Sequence, residues 1–160
     1  MKEVIGFANA GGYVMGICNG FQVLTESGLL PGALLHNESH KFICKNVFLK
    51  TITGDSLITK DCRKNPIKIP IAHGEGRYFC DKKTLDDLIQ NDQILFKYCD
   101  ENGEVKDSAN PNGSLLNIAG ICNKDRNVFG MMPHPERASD KNLKNLDGKI
   151  LFDSILKNLA

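Results

Sequence analysis

The sequence predicts an α/β fold, and two observations support that prediction. Short apolar segments rich in β-branched and aromatic residues alternate along the chain with segments whose apolar residues have helical spacing. No repeat, low-complexity stretch or linker divides the 160 residues. A chain of this length buries a core of its own, so we expect one domain over residues 1–160.

Composition argues against several kinds of partner. The 20 basic and 19 acidic residues give a net charge of +1, which is not expected of a nucleic-acid-binding surface. No apolar run is long enough to span a membrane, and the first residues do not open a signal peptide. The six cysteines are scattered, without a C-x-x-C pair. This pattern is typical of reduced thiols in a cytoplasmic protein, and it predicts no metal site.

Helical spacing and cap residues predict the helices. The predicted helices are 2–10, 21–26, 82–90 and a final helix from Asp147. Gly11-Gly12 ends the first, because glycine accepts the left-handed conformation that closes a helix. Asp81 is a suitable N-cap for the third. The apolar positions of the final helix are Ile150, Leu151, Ile155, Leu156 and Leu159.

The strands are predicted from β-branched and aromatic residues bounded by turn residues. They are 13–16, 42–53 (one strand or two), 66–71, 94–99, 116–122 and 128–132. Prolines bracket 66–71, so we expect an edge strand there. The predicted loops are 28–32, 61–65, 73–77, 110–114 and the hairpin connection 123–127.

A cysteine lies between two glycines where the first strand meets the second helix. Cys18, flanked by Gly16 and Gly20, matches the nucleophile-elbow pattern with cysteine in place of serine. The turn must be sharp, so the flanking positions should not carry bulky side chains. The partial positive charge at the helix N-terminus favours the thiolate. The N–H of Asn19, the next residue, is expected to stabilise an oxyanion.

His134 is the candidate base, because prolines on both sides are expected to hold it in an extended segment. Residues i and i+2 of such a segment point to the same side, which lets Glu136 accept a hydrogen bond from the ring. A nucleophile, a base and an orienting carboxylate form a catalytic triad. Cys18 and His134 both follow strands, so we expect them at one edge of the sheet. The weaker candidate bases are His36, His40 and His73.

Two glycine-rich stretches, 73–77 and 110–114, either line a pocket or are ordinary turns. The chain contains neither a dinucleotide-binding fingerprint nor a P-loop, so nucleotide hydrolysis within it is not predicted.

Four stretches, in the same order, resemble class I glutamine amidotransferases, and above all the glutaminase subunits of phosphoribosylformylglycinamidine synthase. They are 16–22, 70–77, 109–114 and 130–137. The resemblance implies a flavodoxin-like α/β fold and a catalytic triad of Cys18, His134 and Glu136. It further implies that Cys18 attacks the side-chain amide of glutamine. The residues that the resemblance implies for glutamine binding are Gln22, His73, Gly74, Glu75, Asn110, Asn112 and Ser114.

The resemblance also implies the partners. Ammonia would pass to a large synthetase subunit, which uses ATP and magnesium to make phosphoribosylformylglycinamidine in purine biosynthesis. A small accessory subunit is a further candidate partner, and no cofactor is expected in this chain. Members of this family begin with a further βαβ portion, so the N-terminal strands and helix are expected to be absent here, together with a loop that gives a second oxyanion N–H.

Two alternatives remain open at this point. The first is a catalytically impaired module that binds its synthetase partner, since the nucleophile strand would lack a neighbour. The second is a cysteine hydrolase of the PfpI-like type, which shares the elbow but lacks the arrangement of His134 and Glu136.

Overall fold

The computed structural model describes residues 1–62 and 66–159, so residues 63–65 of the predicted loop at 61–65 lie outside the described residues. The helices of these ranges are α1 (Lys2–Asn9), α2 (Asn19–Glu26), α3 (Lys82–Gln90) and α4 (Lys149–Asn158). The strands are β1 (Val14–Ile17), β2 (Ala33–His36), β3 (Ile43–Thr51), β4 (Ile67–His73), β5 (Glu75–Phe79), β6 (Ile94–Cys99), β7 (Ile118–Cys122) and β8 (Val128–Met131). None of these helices is both long and apolar enough to cross a membrane.

The strands form a six-stranded sheet in the order β1-β8-β7-β6-β3-β4, and β2 pairs separately with β5. Strands β1 and β8 run parallel, whereas the other neighbours in the larger sheet are antiparallel. Because β1 and β8 are parallel neighbours, the residues that follow them leave the same edge of the sheet. This confirms the shared edge predicted for Cys18 and His134.

Two apolar clusters pack the helices against the larger sheet. One joins Leu151 of α4 to strand residues such as Leu49 and Ile69. The other contains Phe21 of α2 and Leu88 of α3. Strands β7 and β8 are buried along their whole length, as expected where a sheet is covered on both faces. The predicted α/β fold is therefore confirmed.

Several predictions of single elements are also confirmed. Strand β6 has the predicted bounds. Asp81 caps α3, since its Oδ1 accepts a hydrogen bond from the Thr84 N–H at 2.7 Å. Strand β4 is the last strand of the larger sheet, which confirms that it lies at an edge.

The loop predicted at 73–77 is wrong. Strand β4 continues through His73 and β5 begins at Glu75, so that Gly74 alone separates them. In β5, Gly76 and Tyr78 are buried while Glu75 and Phe79 are exposed. This alternation was not recognised in the sequence, because glycine is typical of loops. Strand β2 was not predicted either, because its four residues are ordered by pairing with β5, which is distant in sequence.

The last helix begins at Lys149, two residues later than predicted, and Gly148 precedes it as the N-cap. Asp147 does not cap it, since its carboxylate accepts a hydrogen bond from the Lys68 N–H at 2.8 Å. Leu151 is fully buried as predicted, but Leu156 is 73% exposed and Leu159 is 50% exposed. The apolar side of α4 is therefore narrower than the sequence indicated.

Candidate active site

Cys18 lies at a sharp turn between β1 and α2. Its φ is +53°, a value that residues other than glycine rarely adopt. Its N–H donates to the carbonyl of Met131, at the end of β8, at 2.8 Å. Helix α2 begins at the next residue, Asn19, so its N-terminus lies beside the sulfur. The strand–turn–helix geometry is that of a nucleophile elbow.

Two glycines, Gly16 and Gly130, are register partners in β1 and β8. A Cβ at Gly16 would lie 2.6 Å from the carbonyl oxygen of Gly20, and a Cβ at Gly130 would overlap the ring of Phe21. Helix α2 therefore lies against the sheet over a shallow trough that these glycines keep open. A Cβ at Gly20 would meet nothing within 4 Å. The predicted need for small flanking residues is thus confirmed at Gly16 and wrong at Gly20.

Burial of the Cys18 thiol opposes its ionisation. Burial raises its pKa, while the Asn19 N–H and the positive charge of Arg137 lower the pKa and the negative charge of Glu136 raises it. The net shift of the Cys18 pKa is upward, so burial of the thiol outweighs the groups that favour its thiolate. The Sγ atom lies 3.8 Å from the carbonyl oxygen of Ala72 and 3.8 Å from Asn19 Oδ1. Nucleophilic attack by Cys18 consequently needs a base.

His134 and Glu136 are in direct contact. The Nδ1 atom of His134 lies 2.6 Å from Oε1 of Glu136, and because a carboxylate only accepts, Nδ1 carries the proton. The extended segment predicted here is wrong, since Pro135–Ala138 form a 3₁₀ turn, yet this turn also brings Glu136 back to the ring. The main chain of His134 is fixed by its N–H, which donates to Pro70 O at 2.8 Å. Its Nε2 is buried and has no hydrogen-bond partner among the described residues.

A cleft of about 670 Å³ opens beside the sulfur. Its lining includes seven of the residues predicted from sequence, which are Cys18, Asn19, Gln22, His73, Gly74, Glu75 and His134. They come from the ends of β1, β4 and β8 and from the starts of α2 and β5. Glu136 reaches the site through His134.

Gln22 and Glu75 tie α2 to β5 across the cleft. The Gln22 side chain donates from Nε2 to the Glu75 carbonyl at 2.6 Å. The Glu75 carboxylate lies 3.3 Å from Nδ1 of His36, and both side chains are more than half exposed. These contacts fix the wall of the cleft nearest the N-terminus of α2.

His73 is held beneath the cleft by Asn37. The Nδ1 atom of His73 lies 3.0 Å from Asn37 Oδ1, and the Asn37 amide donates to the His73 carbonyl at 2.8 Å. Both side chains are buried. Burial, and then the positive charge of His134, lower the pKa of His73 to about 4. The ring is therefore neutral near pH 7.

Three residues predicted to bind glutamine lie outside the cleft lining. Asn112 donates from Nδ2 to the Gly76 carbonyl at 2.8 Å, and Ser114 accepts the Tyr78 N–H at 3.0 Å. Asn110 Oδ1 accepts main-chain N–H groups of the turn that follows it. The stretch 110–114 is therefore an internal support for β5, which corresponds to the ordinary-turn alternative.

The cleft also contains residues that were given no role from sequence. Arg137 lines the cleft, and its Nε lies 3.6 Å from Glu136 Oε1. Its place next to Glu136 in the sequence was the signal that could have pointed to a position in the site. Phe42 lines it with 69% of its surface exposed. Asn37 lies beneath it, and no local pattern connects Asn37 to His73, because the two are 36 residues apart.

Acidification is expected to destabilise the fold through His73. Its pKa is about 4 in the folded chain, against 6.5 for an unperturbed histidine, so the unfolded state binds the proton first. Stability is complete above about pH 6.5 and declines as the pH falls towards 4, by up to about 3 kcal/mol. Urea unfolding at pH 7 and pH 4.5 would measure this loss. The loss should be smaller in His73→Asn, and an unchanged pH dependence in that variant would contradict the assignment.

The family model and the similar proteins agree on the family to which this chain is related. A model of the CobB/CobQ-like glutamine amidotransferase domain matches residues 1–150. The phosphoribosylformylglycinamidine synthase subunit PurQ of Pelagibacter ubique (strain HTCC1062) is 54% identical over 159 residues, which are 99% of this chain and 70% of that protein. The same subunit of Aquifex aeolicus (strain VF5) is 54% identical over 158 residues, covering 98% of this chain and 70% of the relative.

Solved structures give a similar result. The structure of PurLQS from Thermotoga maritima matches with a TM-score of 0.82 at 44% identity, covering 99% of this chain and 67% of that chain. A glutamine amidotransferase from Thermotoga maritima, 14% identical, matches with a TM-score of 0.53 over 98% of this chain and 60% of its own. The second match supports the fold alone.

Proposed function

Because the chain belongs to the CobB/CobQ-like glutamine amidotransferase family, we propose that Cys18, His134 and Glu136 hydrolyse glutamine for a phosphoribosylformylglycinamidine synthase. The role of the chain is that of the glutamine amidotransferase subunit of this synthase, in purine biosynthesis. One observation carries the mechanism: Cys18 and His134 follow parallel neighbouring strands into one cleft, and Glu136 fixes the tautomer of His134.

Acylation begins when Nε2 of His134 takes the proton of the Cys18 thiol. The resulting thiolate attacks the side-chain carbonyl carbon of glutamine, and the Asn19 N–H stabilises the oxyanion. His134 then returns the proton to the amide nitrogen, the C–N bond breaks, and ammonia leaves. Cys18 remains as a γ-glutamyl thioester. Glu136 keeps the His134 proton on Nδ1, so that Nε2 is available for both transfers.

In deacylation His134 again acts first as a base and then as an acid, with water in place of the thiol. His134 removes a proton from water, which attacks the thioester carbonyl, and the oxyanion is again stabilised by Asn19. Collapse of the intermediate breaks the C–S bond, His134 protonates the departing sulfur, and glutamate is released. The γ-carboxylic acid formed in this step releases its proton to solvent near pH 7, which leaves Cys18 and His134 as they began.

The ammonia is consumed by the partner. A synthetase subunit, with ATP and Mg²⁺ bound to it, uses the ammonia to aminate formylglycinamide ribonucleotide in the cytoplasm, and the small accessory subunit belongs to the same assembly. Within residues 1–62 and 66–159, no group of three or more histidine, cysteine, aspartate or glutamate side chains is arranged to hold a metal ion.

Reconstitution tests the proposed function. The synthetase partner alone is expected to form phosphoribosylformylglycinamidine from ammonium salts but not from glutamine. Addition of this chain should confer synthesis from glutamine, with one glutamate released for each product molecule. If product formation from glutamine is the same with and without the chain, the proposed function is wrong.

A further inference from the structure

Glu136 depends on its main chain for its position beside His134. Its side chain is 45% exposed, so packing holds little of it. Its carboxylate lies 2.6 Å from Nδ1 of His134 and 3.6 Å from Nε of Arg137. Pro135 and Ala138, on either side of it in the 3₁₀ turn, are buried. The contacts that hold this turn therefore determine where the carboxylate lies.

Gly148, the N-cap of α4, lies against this turn. The Gly148 N–H donates to the carbonyl of Ala138 at 2.7 Å. An added Cβ at Gly148 would overlap the carbonyl oxygen of Pro135 and lie 2.8 Å from its carbonyl carbon. The φ of Gly148 is −74° and its ψ is −22°, values that any residue adopts, so it is the close approach that requires glycine here. The peptide that joins Pro135 to Glu136 therefore rests directly on the N-terminal end of α4.

Strand β4 anchors both partners of this contact. The main-chain N–H of His134, where the turn begins, donates to the carbonyl of Pro70 at 2.8 Å. Asn145, in the segment that leads into Gly148, donates from Nδ2 to the carbonyl of Lys68 at 2.8 Å. The turn and the start of α4 are thus attached to the same strand two residues apart, and a shift of one relative to the other would strain these bonds.

We propose that Gly148 is a positioning residue, whose contact with the Pro135 carbonyl holds Glu136 against Nδ1 of His134. The inference rests on the proposed function above. A side chain at residue 148 would displace the peptide between Pro135 and Glu136 by on the order of 1 Å, because carbon–oxygen contacts are normally at least about 3.3 Å. Helix α4 does not yield easily, since Leu151 is fully buried. A misplacement of about 1 Å can lower a catalytic rate by about a hundredfold.

Two variants test this contact. Gly148→Ala adds the Cβ, and its matched control is Gly6→Ala, because a Cβ at Gly6 would meet nothing within 4 Å. Asn145→Ala removes the bond to β4 without adding atoms, and its control is Asn142→Ala, the same change at an exposed residue of the same segment. Each change is made in the parent chain and in Glu136→Ala. The kcat and KM for glutamine are measured in the assembled synthase, per mole of chain that co-elutes with the synthetase.

We expect Gly148→Ala to lower kcat about thirtyfold and Asn145→Ala about fivefold, with KM changed by less than about twofold and both controls unaffected. In the Glu136→Ala background each should lose less than about twofold further, because the contact that it disturbs is already absent. Losses that multiply in the double variants would assign Gly148 a general structural role and overturn the proposal, as would an unchanged kcat in Gly148→Ala. If Gly148→Ala does not assemble, the same comparison with Asn145→Ala decides. The proposed function fails separately, if the parent chain confers no glutamine-dependent synthesis on the synthetase.

Discussion

Replacement of Cys18 by serine is expected to lower glutamine hydrolysis at least about a thousandfold. A hydroxyl is far less acidic than a thiol, so His134 cannot generate the nucleophile efficiently. The turn at Cys18 has φ of +53° and is set by main-chain contacts, including the bond to Met131, so the serine variant should fold normally. The measurement is glutamate release by the assembled synthase, with ammonium-dependent synthesis as proof that the partner is intact.

Two further variants control this result. Cys44→Ser makes the same chemical change at an exposed cysteine of β3 outside the cleft lining, and it should leave the rate unchanged. Glu136→Ala removes the orienting carboxylate but leaves nucleophile and base, so its loss should be smaller, about a hundredfold. If Cys18→Ser hydrolyses glutamine as fast as the parent chain, the covalent mechanism is excluded.

The position of Cys18 also distinguishes it from Cys62, Cys99 and Cys122, which are partly or fully buried. Burial raises the pKa of Cys62, Cys99 and Cys122 to about 11 in each case. None of the three lines the cleft. Cys18 alone among these four lies in the same cleft as the candidate base His134. Reactivity in this chain is therefore expected to depend on access to His134.

The sequence was sufficient to predict those parts of the site whose residues lie close together along the chain. The elbow at Cys18 follows from a strand, a turn and a helix in succession, and Glu136 lies two residues from His134. The contact between Glu136 and His134 was predicted although the backbone was not, because a 3₁₀ turn and an extended segment both bring these side chains together.

Parts that depend on distant contacts could not be predicted. The contact of the His73 ring with Asn37 joins residues that are 36 positions apart, and no local pattern predicts it. Strand β2 exists through pairing with β5, and the support role of Asn112 depends on the carbonyl of Gly76. The resting state of Cys18 depends on how much of the thiol the rest of the fold buries, which a helix N-terminus alone does not determine.

The second large effect is expected on stability. Gly130→Ala places a Cβ against the ring of Phe21 and 2.6 Å from Cδ1 of Leu30, and both side chains are almost completely buried. To make room, α2 must move away from the trough formed by Gly16 and Gly130. Such overpacking should lower the free energy of unfolding by about 3 kcal/mol and the Tm by roughly 10 °C. Thermal and urea unfolding of the purified chain measure both quantities.

Gly20→Ala is the matched control on the facing helix. It adds the same methyl group where nothing lies within 4 Å, and alanine is the better helix former, so stability should stay the same or rise by up to about 1 kcal/mol. The contrast matters for function, because the trough sets how closely α2 approaches β1 and thus where the sulfur of Cys18 lies. If Gly130→Ala is as stable as Gly20→Ala, the close approach of α2 to the sheet is not what positions Cys18.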